Sequence, residues 1–249
     1  MTRSVKDIKQ SLAKAAKVGS GDDGRSTRWS AHREARRAEL VEAAVGAIDR
    51  LGPTAGIEEI ALASGVSKPV LYRYFSDKAD LHTAVGAYGA AVVLERLMPA
   101  LVAEGTLRER VQLACDAYLA TIEEHAGVFM LLVQDRVGGD TDPLADGKAA
   151  IAAAIARVIG DALRGFGADA GGAEPWAHGL VGLGLSTGEW WLTRRTMSRS
   201  AVSTYLSSFV WHALEGVSQS YGVSLAGADG ELHLVDPPVL DPPAGQARA

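Results

Sequence analysis

The apolar positions in the N-terminal part of the chain recur at spacings of three and four, which is the period of an amphipathic helix. Gly52 and Pro53 end this pattern, because neither residue continues a helix well. The same period returns along most of the chain. The positions that define the first helix are Leu40, Ala43, Ala44, Ala47, Ile48 and Leu51.

Alternating β-branched runs are nearly absent, and no strand–helix–strand rhythm appears. We therefore predict an all-α protein with about nine helices, a three-helix N-terminal domain and a helical C-terminal domain. The end of the chain contains two Asp-Pro-Pro runs, which cannot stay helical, so we expect a loose tail. The predicted helices span residues 30–51, 57–63, 67–75, 77–99, 107–125, 128–136, 144–166, 173–192 and 202–220.

Composition and charge narrow the class of protein. One cysteine among 249 residues excludes a disulfide framework and a CxxC zinc site. No uninterrupted apolar run of about 18 residues is present, so we expect no membrane-spanning helix and a cytoplasmic protein.

Residues 1–80 carry 14 Lys and Arg against 11 Asp and Glu, whereas residues 81–249 carry 11 against 19. A basic end on an acidic body suits a partner that is a polyanion, but a merely solvated arm fits equally well.

Residues 56–81 carry the local signals of a helix-turn-helix. Gly65 can take a left-handed turn without steric cost, and Ser67 can cap the next helix through its hydroxyl. Leu71 and Phe75 lie four residues apart and point inward. The second helix is therefore exposed and able to enter a DNA major groove, where it would present Lys68, Pro69, Tyr72 and Arg73.

The run SGVSKPVLYRYFSDKADL at residues 64–81 resembles the DNA-binding domain of TetR-family transcriptional regulators. It combines the turn glycine, the capping serine, a Leu-Tyr pair, an aromatic pair and a lysine just inside the next helix. The later helices are similar to the family in number, length and order. The chain departs from the family where its second helix begins: Gly56 and Ile57 replace a usual Thr or Ser, and Glu58 and Glu59 stand where some members carry a basic residue.

The resemblance implies roles for individual side chains. Lys68 would donate to guanine or to a phosphate, and Pro69 and Val70 would meet a thymine methyl group. The side chains of Tyr72, Tyr74 and Lys78 would contact the DNA backbone, while Arg73 would reach a base or a phosphate. The implied DNA-binding residues are Ser67, Lys68, Pro69, Val70, Tyr72, Arg73, Tyr74 and Lys78.

The chain is expected to have four parts. Residues 1–28 would be a flexible basic arm, 29–80 the helix-turn-helix DNA-binding domain, 81–222 the ligand-binding and dimerisation domain, and 223–249 a loose Pro- and Gly-rich tail. Arginines just before or inside the first helix would add phosphate contacts and salt dependence. They are Arg25, Arg28, Arg33, Arg36 and Arg37.

The last two predicted helices offer surfaces for a twin subunit and a ligand. An apolar stripe runs along residues 202–220, and residues 173–192 are apolar on all sides, which indicates a helix buried on both faces. The resemblance implies a homodimer and a cavity here; packing within one chain is the alternative for each residue. The predicted dimer residues are Val181, Leu185, Tyr205, Phe209, Val210 and Leu214, and the predicted ligand-binding residues are Tyr88, Val92, Tyr118, Phe129, Met130, Val133, Ile155, Leu183 and Trp191.

The mainly apolar lining favours a hydrophobic or amphiphilic effector. The SKPVLYRYF form and the Trp-Trp-Leu run at residues 190–192 are similar to actinobacterial members linked to lipid metabolism. This likeness implies a fatty acyl chain or acyl-CoA first, and a xenobiotic second. By the same likeness, the ligand would release palindromic operator DNA through a population shift. Repression is the expected mode and activation the alternative.

Two other classes of protein, an enzyme and a protein–protein adaptor, are alternatives. The sequence contains no HExxH or P-loop motif. GxSxG occurs as GLSTG at residues 184–188 and GxGxxG as GSGDDG at residues 19–24, but neither follows a predicted strand, as the catalytic or dinucleotide-binding forms of these motifs require. Glu123, Glu124 and His125 are neighbours on a helix and point different ways, so a solvated helix end is expected there rather than a metal site. Cys115 is expected in the core. We therefore expect no enzymatic activity, cofactor or metal, and a helical protein–protein adaptor without DNA binding stays open as an alternative.

Overall fold

The structure is a computed structural model that describes residues 24–138, 142–165 and 167–220, with two strand segments at 223–224 and 233–234. The predicted arm up to residue 23 and most of the predicted tail lie outside the described residues. Those described form nine helices and a two-stranded antiparallel sheet in which Val223 pairs with Leu234. The elements are α1 (Gly24–Leu51), α2 (Ile57–Ala63), α3 (Lys68–Leu71), α4 (Lys78–Leu101), α5 (Leu107–Glu124), α6 (Ala126–Gly138), α7 (Ala145–Gly165), α8 (Ala173–Arg194), α9 (Arg199–Ser220), β1 (Val223–Ser224) and β2 (His233–Leu234).

The all-α prediction is confirmed, and the differences concern the ends of two helices and two short strands. α1 begins at Gly24, earlier than the apolar period at Ser30 indicated. α3 is one turn long and ends at Leu71, because the amide of Tyr74 bonds to the carbonyl of Leu71, three residues back, as in a tight turn. The two short strands fall in the segment for which only loose chain was predicted.

We call α1 to α3 the reading head and α4 to α9 the body. The reading head does not close its core alone, because residues of α4 and α6 complete it. Ala61 is only 1% exposed and small, which lets α2 cross its neighbours closely. The core side chains include Leu40, Ala44, Ile48, Ile60, Leu71 and Phe75 of the head, Leu81 and Val85 of α4, and Val128, Leu131 and Leu132 of α6.

A second core lies in the body and joins α5, α8 and α9. α8 packs mainly on α7, and α9 packs mainly on α5, so these last two helices contact each other little. This arrangement leaves room for a cavity between the helices of the body. The buried residues of the second core are Val111, Cys115, Leu119, Ile122, Trp191, Leu192, Val202 and Leu206.

Within the described ranges, α4 is the single helix that is long and apolar enough to cross a membrane, with a hydropathy of 1.3. This differs from the expectation of no membrane-spanning helix, which rests on the absence of an uninterrupted apolar run of about 18 residues in the sequence. α4 packs against α1, α5, α6 and α7. Its first turns belong to the core of the reading head, and its later turns face the body.

The head and the body meet where the last turn of α1 lies against the first turn of α6. A Cβ added at Gly127 would lie 2.5 Å from the carbonyl oxygen of Ile48, so only glycine allows this approach. The Asp49 carboxylate accepts from the amide of Val128 (3.2 Å) and contacts Nδ1 of His125 at 2.7 Å. Backbone contact and side-chain hydrogen bonds therefore hold this junction together.

We expect Gly127→Ala to lower the free energy of unfolding by about 1–3 kcal/mol, because the added methyl group meets backbone atoms that cannot move aside. The matched control is Gly89→Ala in α4, where a Cβ meets nothing within 4 Å. That change should stabilise the chain by about 0.5–1 kcal/mol, the usual gain of Ala over Gly inside a helix. Chemical denaturation of both variants measures this, and equal effects would contradict the close approach.

Candidate nucleic-acid interface and effector cavity

The turn between α2 and α3 sets the direction of the exposed helix α3. Gly65 has a φ of +72°, in the left-handed region that suits glycine. The carboxylate of Glu59 accepts from the amide of Gly56 at 2.8 Å, which closes the first turn of α2. Leu71 is buried and fixes one side of α3 in the core. The exposed residues on and beside α3 are Ser67, Lys68, Pro69, Tyr72, Arg73 and Lys78, with Val70 and Tyr74 half-buried.

Ser67 stands at the N-cap of α3, but its hydroxyl makes no cap hydrogen bond. Its carbonyl accepts from the amides of Val70 (2.9 Å) and Leu71 (3.1 Å) instead. The predicted side-chain cap is therefore wrong. Pro69, placed in the first turn, has no N–H to satisfy, so α3 starts with one donor fewer.

Lys68, the first residue of α3, is already paired. Its ammonium donates to the Glu58 carboxylate of α2 at 2.7 Å. The hydrogen bond, and then the charge, of Lys68 lower the pKa of Glu58, and the same contact raises the pKa of Lys68. Both side chains are exposed, so a DNA phosphate or guanine must compete with Glu58 for this lysine. The sequence showed Glu58 as a departure from the family but did not show its partner.

Arg37 has a structural role that differs from the predicted phosphate contact. Its guanidinium bonds to the Asp80 carboxylate (2.5 Å) and to the carbonyl of Tyr74 (3.3 Å). It also lies 4.6 Å from the centre of the Phe75 ring. These contacts fix the end of α3 and the start of α4 onto α1. Arg33 adds a hydrogen bond to the carbonyl of Arg73 at 3.2 Å.

The start of α4 completes the exposed surface beside α3. Asp77 caps this helix by accepting from the amide of Asp80 at 2.8 Å, and Asp80 in turn accepts from the amide of Ser76 at 2.9 Å. Lys78 is the first helical residue and is exposed. The caps thus hold Lys78 at the edge of the reading head.

The body contains a partly open cavity of about 360 Å³ lined by α4 to α9, and its wall is mostly apolar. Of the predicted ligand-binding residues, the structure brings four into this wall: Tyr118, Phe129, Ile155 and Leu183. The hydroxyl of Tyr118 donates to the carbonyl of Gly184 at 2.8 Å, and burial raises the pKa of this phenol. A glycine at 188 leaves room for this ring, since a Cβ there would lie 2.9 Å from the Tyr118 oxygen.

The other five predicted ligand residues lie elsewhere. α4 faces the cavity with Gly86, Gly89, Ala90, Val93 and Leu97, so Tyr88 and Val92 are turned away by the helical period. Met130 and Val133 of α6 and Trp191 of α8 are likewise turned away from the cavity and belong to the packing between helices. Tyr88 packs on the core of the reading head, Met130 and Trp191 belong to the second core, and Val133 is buried.

Trp191 helps to set the turn between α8 and α9. Its indole N–H donates to the carbonyl of Met197 at 3.0 Å, and the guanidinium of Arg195 lies 5.1 Å from its ring. Arg195 and Arg199 each donate to Glu123 of α5 at 3.1 Å. The end of α5, predicted as a solvated helix end, is thus tied by ion pairs, and no group of three metal-ligating residues occurs in the described segments.

The predicted dimer residues divide into two groups. Tyr205 and Phe209 of α9 are exposed by 67% and 65%. Trp190 of α8, which is not among the predicted dimer residues, is also exposed. The other four predicted dimer residues line the cavity, because α8 and α9 stand apart and turn these side chains toward the space between them. They are Val181, Leu185, Val210 and Leu214.

Few polar side chains reach the cavity wall. Lys148 pairs with Asp142, and His125 pairs with Asp49 at the head–body junction. Arg110 lies in the same wall, and its Nε is buried without a hydrogen-bond partner among the described residues. Burial raises the pKa of the Cys115 thiol to about 12, so this wall residue stays protonated and apolar near neutral pH. Its predicted core position is confirmed.

Comparison with known proteins agrees with this geometry. Residues 40–85 match the family described as "Bacterial regulatory proteins, tetR family", and residues 96–225 match "Tetracyclin repressor-like, C-terminal domain". An uncharacterized HTH-type transcriptional regulator of Mycobacterium tuberculosis is 34% identical over 202 residues, which are 80% of this chain and 86% of that protein. The HTH-type transcriptional activator FasR of Mycolicibacterium smegmatis is 30% identical over 187 residues, 74% of this chain and 85% of that protein.

Solved structures give the same fold. A tetR-family transcriptional regulator from Streptomyces coelicolor superposes with a TM-score of 0.60 at 26% identity, covering 76% of this chain and 83% of that one. FadR from Bacillus subtilis, in complex with stearoyl-CoA, gives 0.55 at 15% identity, covering 69% and 96%, and shares the fold. The chain belongs to the TetR family of DNA-binding transcriptional regulators, whose members are regulators and not enzymes.

We expect Glu58→Gln to tighten DNA binding several-fold, because it releases Lys68 to bind the polyanion. The slope of log K against log salt should steepen by about 0.9, the value for one more phosphate neutralised. The matched control is Glu59→Gln, which removes the same charge from the same helix but no contact with Lys68. Anisotropy titrations across a salt series measure both, and an equal gain for the two variants would contradict a specific effect of Glu58.

Proposed function

We propose that this chain is a cytoplasmic, ligand-responsive repressor that binds palindromic operator DNA as a homodimer and is released by a fatty acyl effector such as an acyl-CoA. The observation that carries the proposal is the apolar cavity in the body, joined through one packed junction to an exposed helix-turn-helix. The predicted residues Ser67, Lys68, Pro69, Val70, Tyr72, Arg73, Tyr74 and Lys78 form the proposed DNA surface.

Exposed aromatic residues on the last two helices support a dimer. A single reading head of this size buries little DNA surface, and two heads one helical turn of DNA apart read a palindrome. Trp190, Tyr205 and Phe209 are large apolar side chains that a lone chain leaves in water. A second copy that packs on this face removes them from solvent and fixes the spacing of the two heads.

The lining of the cavity supports the effector class. Aliphatic and aromatic side chains dominate it, and its few cations suit a long apolar molecule with a polar head. FadR of Bacillus subtilis, which shares the fold, was crystallised with stearoyl-CoA. The activator FasR is 30% identical to this chain, and its name supports activation as the second candidate mode of regulation.

The junction between head and body supports a route for the signal. His125 and Val128 line the cavity, and both bond to Asp49 at the end of α1. An effector that moves these two residues therefore also moves the reading head. In the proposed mechanism the ligand favours dimers whose heads have the wrong separation for the operator.

The direct test is the anisotropy of labelled DNA from the region upstream of the gene, across a salt series, with unrelated DNA as control. Tight, salt-dependent binding to the upstream DNA, and its release by hexadecanoyl-CoA, is expected. Reporter transcription with and without that DNA site separates repression from activation. Absence of binding at low salt, with and without effector, would favour the adaptor alternative.

We expect Phe209→Glu to convert the dimer into monomers, because a charge at this exposed position on α9 cannot be buried against a twin subunit. Operator affinity should fall at least about tenfold, since one head then binds alone. Val102→Glu is the matched control, with an apolar residue that is 66% exposed outside the proposed interface. Light scattering and anisotropy give the two readouts. A dimeric Phe209→Glu protein would overturn the assigned face.

We expect His125→Asn to keep operator binding but to need about fivefold or more effector for release, because the link between cavity and Asp49 is weakened. The matched control is Glu124→Gln, which changes the neighbouring residue and its ion pair with Arg96 inside the body. Release curves with hexadecanoyl-CoA measure the coupling. Unchanged release in the His125 variant would rule out this route, whatever the operator affinity.

A further inference from the structure

Three basic side chains, Arg110, His125 and Lys148, line the cavity wall, and they differ in what they bond. Lys148 has Asp142 as partner, and His125 has Asp49. Arg110 alone of these three has no ion pair in the described part of the chain, and its Nε is buried without a hydrogen-bond partner. A cation of this kind next to an apolar cavity calls for an acceptor that the chain itself does not supply.

Leaving the buried Nε of Arg110 without an acceptor costs free energy. A buried donor that finds no acceptor loses its hydration and gains nothing in return. A guanidinium presents several donors in one plane, which matches the two oxygens of a carboxylate better than an ammonium does. Leu107 and Val111, the wall residues beside Arg110 along α5, carry no side-chain oxygen.

Arg110 also has a defined place along the cavity. The wall contributed by α4 runs from Gly86 to Leu101, about 22 Å at the helical rise per residue, so the cavity extends beside this helix as a channel. Arg110 lies near the start of α5, directly after the end of α4, and thus at the end of the channel away from the reading head. His125 and Lys148 lie toward the reading head, where Gly86 and the junction are found.

We propose that Arg110 binds the oxygen-bearing head of the effector's acyl group, and that the alkyl chain runs from there along α4 toward the reading head. This inference rests on the proposed function and adds the orientation of the ligand and the residue that selects it. The head is either a free carboxylate or the thioester carbonyl of an acyl-CoA. In this orientation the far end of the alkyl chain meets Val128 and His125, so only long chains reach the junction.

The test measures ligand binding by calorimetry in the absence of DNA, with hexadecanoate, hexadecanoyl-CoA and hexadecanol as probes. The wild-type chain should prefer at least one of the two acyl compounds to the alcohol by about tenfold or more, as a charge-assisted hydrogen bond provides. Arg110→Gln should abolish this preference while binding of hexadecanol stays within about twofold. The acyl compound that loses affinity identifies the head, carboxylate or thioester.

Arg108→Gln is the matched control, because Arg108 lies on the same helix but stacks on Trp211 at 5.7 Å and does not line the cavity. It should keep the wild-type preference. Arg110→Lys should restore part of the preference through its charge. Thermal unfolding without ligand should show no loss of stability in Arg110→Gln, because the replaced Nε has no partner to lose.

Three results would overturn the proposal: a wild-type chain that does not distinguish acid or thioester from alcohol, an Arg110→Gln variant that keeps the preference, or one that loses affinity for all three probes equally. Operator binding by the same proteins without ligand is measured in parallel. If operator binding is intact and the acyl preference is absent, this inference fails while the DNA-binding function stands. If operator binding itself is absent, the proposed function fails.

Discussion

The close backbone contact between α1 and α6 is the constraint on which the rest of the structure depends. No side chain fits between Gly127 and the carbonyl of Ile48, and the neighbouring Asp49 carboxylate bonds to both His125 and the Val128 amide. With α6 held there, Val128, Leu131 and Leu132 complete the core under the reading head. The same turn of α6 also forms one end of the cavity wall. This junction thus positions both the helix-turn-helix and one end of the cavity in the body.

The sequence predicted the helices and the exposed face of α3 well, because both follow from local rules. Periodic apolar positions define helices, and Gly65 with Leu71 defines the turn and the buried side of α3. The roles of Arg37 and Glu58 were not predictable in this way. Arg37 reaches Asp80 across 43 positions of sequence, and Lys68 reaches Glu58 across ten. Such pairs depend on how the helices cross in the folded chain, and a single sequence does not show that crossing geometry.

For the cavity, too, one part of the structure is predictable from the sequence and another part is not. The sequence predicts one face of α8 on a twin subunit and one on a ligand. The structure places Leu183 of the predicted ligand face, and also Val181 and Leu185 of the predicted dimer face, in the cavity wall. Val181 and Leu185 face the cavity because α8 leans on α7 and away from α9. On α4, a shift of one position separates Val93, which lines the cavity, from Val92, which does not. Periodicity gives the faces of a helix, whereas the neighbour of each face is decided by the tertiary arrangement.

The shared core under the reading head has a consequence for how regulators of this kind can be recombined. Because α6 contributes Val128, Leu131 and Leu132 to that core, the DNA-binding segment is not an interchangeable module that ends where α4 begins. A hybrid sensor that joins this reading head to a foreign body would inherit a gap under α1 unless the first turns of α6 are carried along. To exchange DNA specificity between such proteins, two separate segments must therefore be moved together. They are the helices α1 to α3 and the first turns of α6.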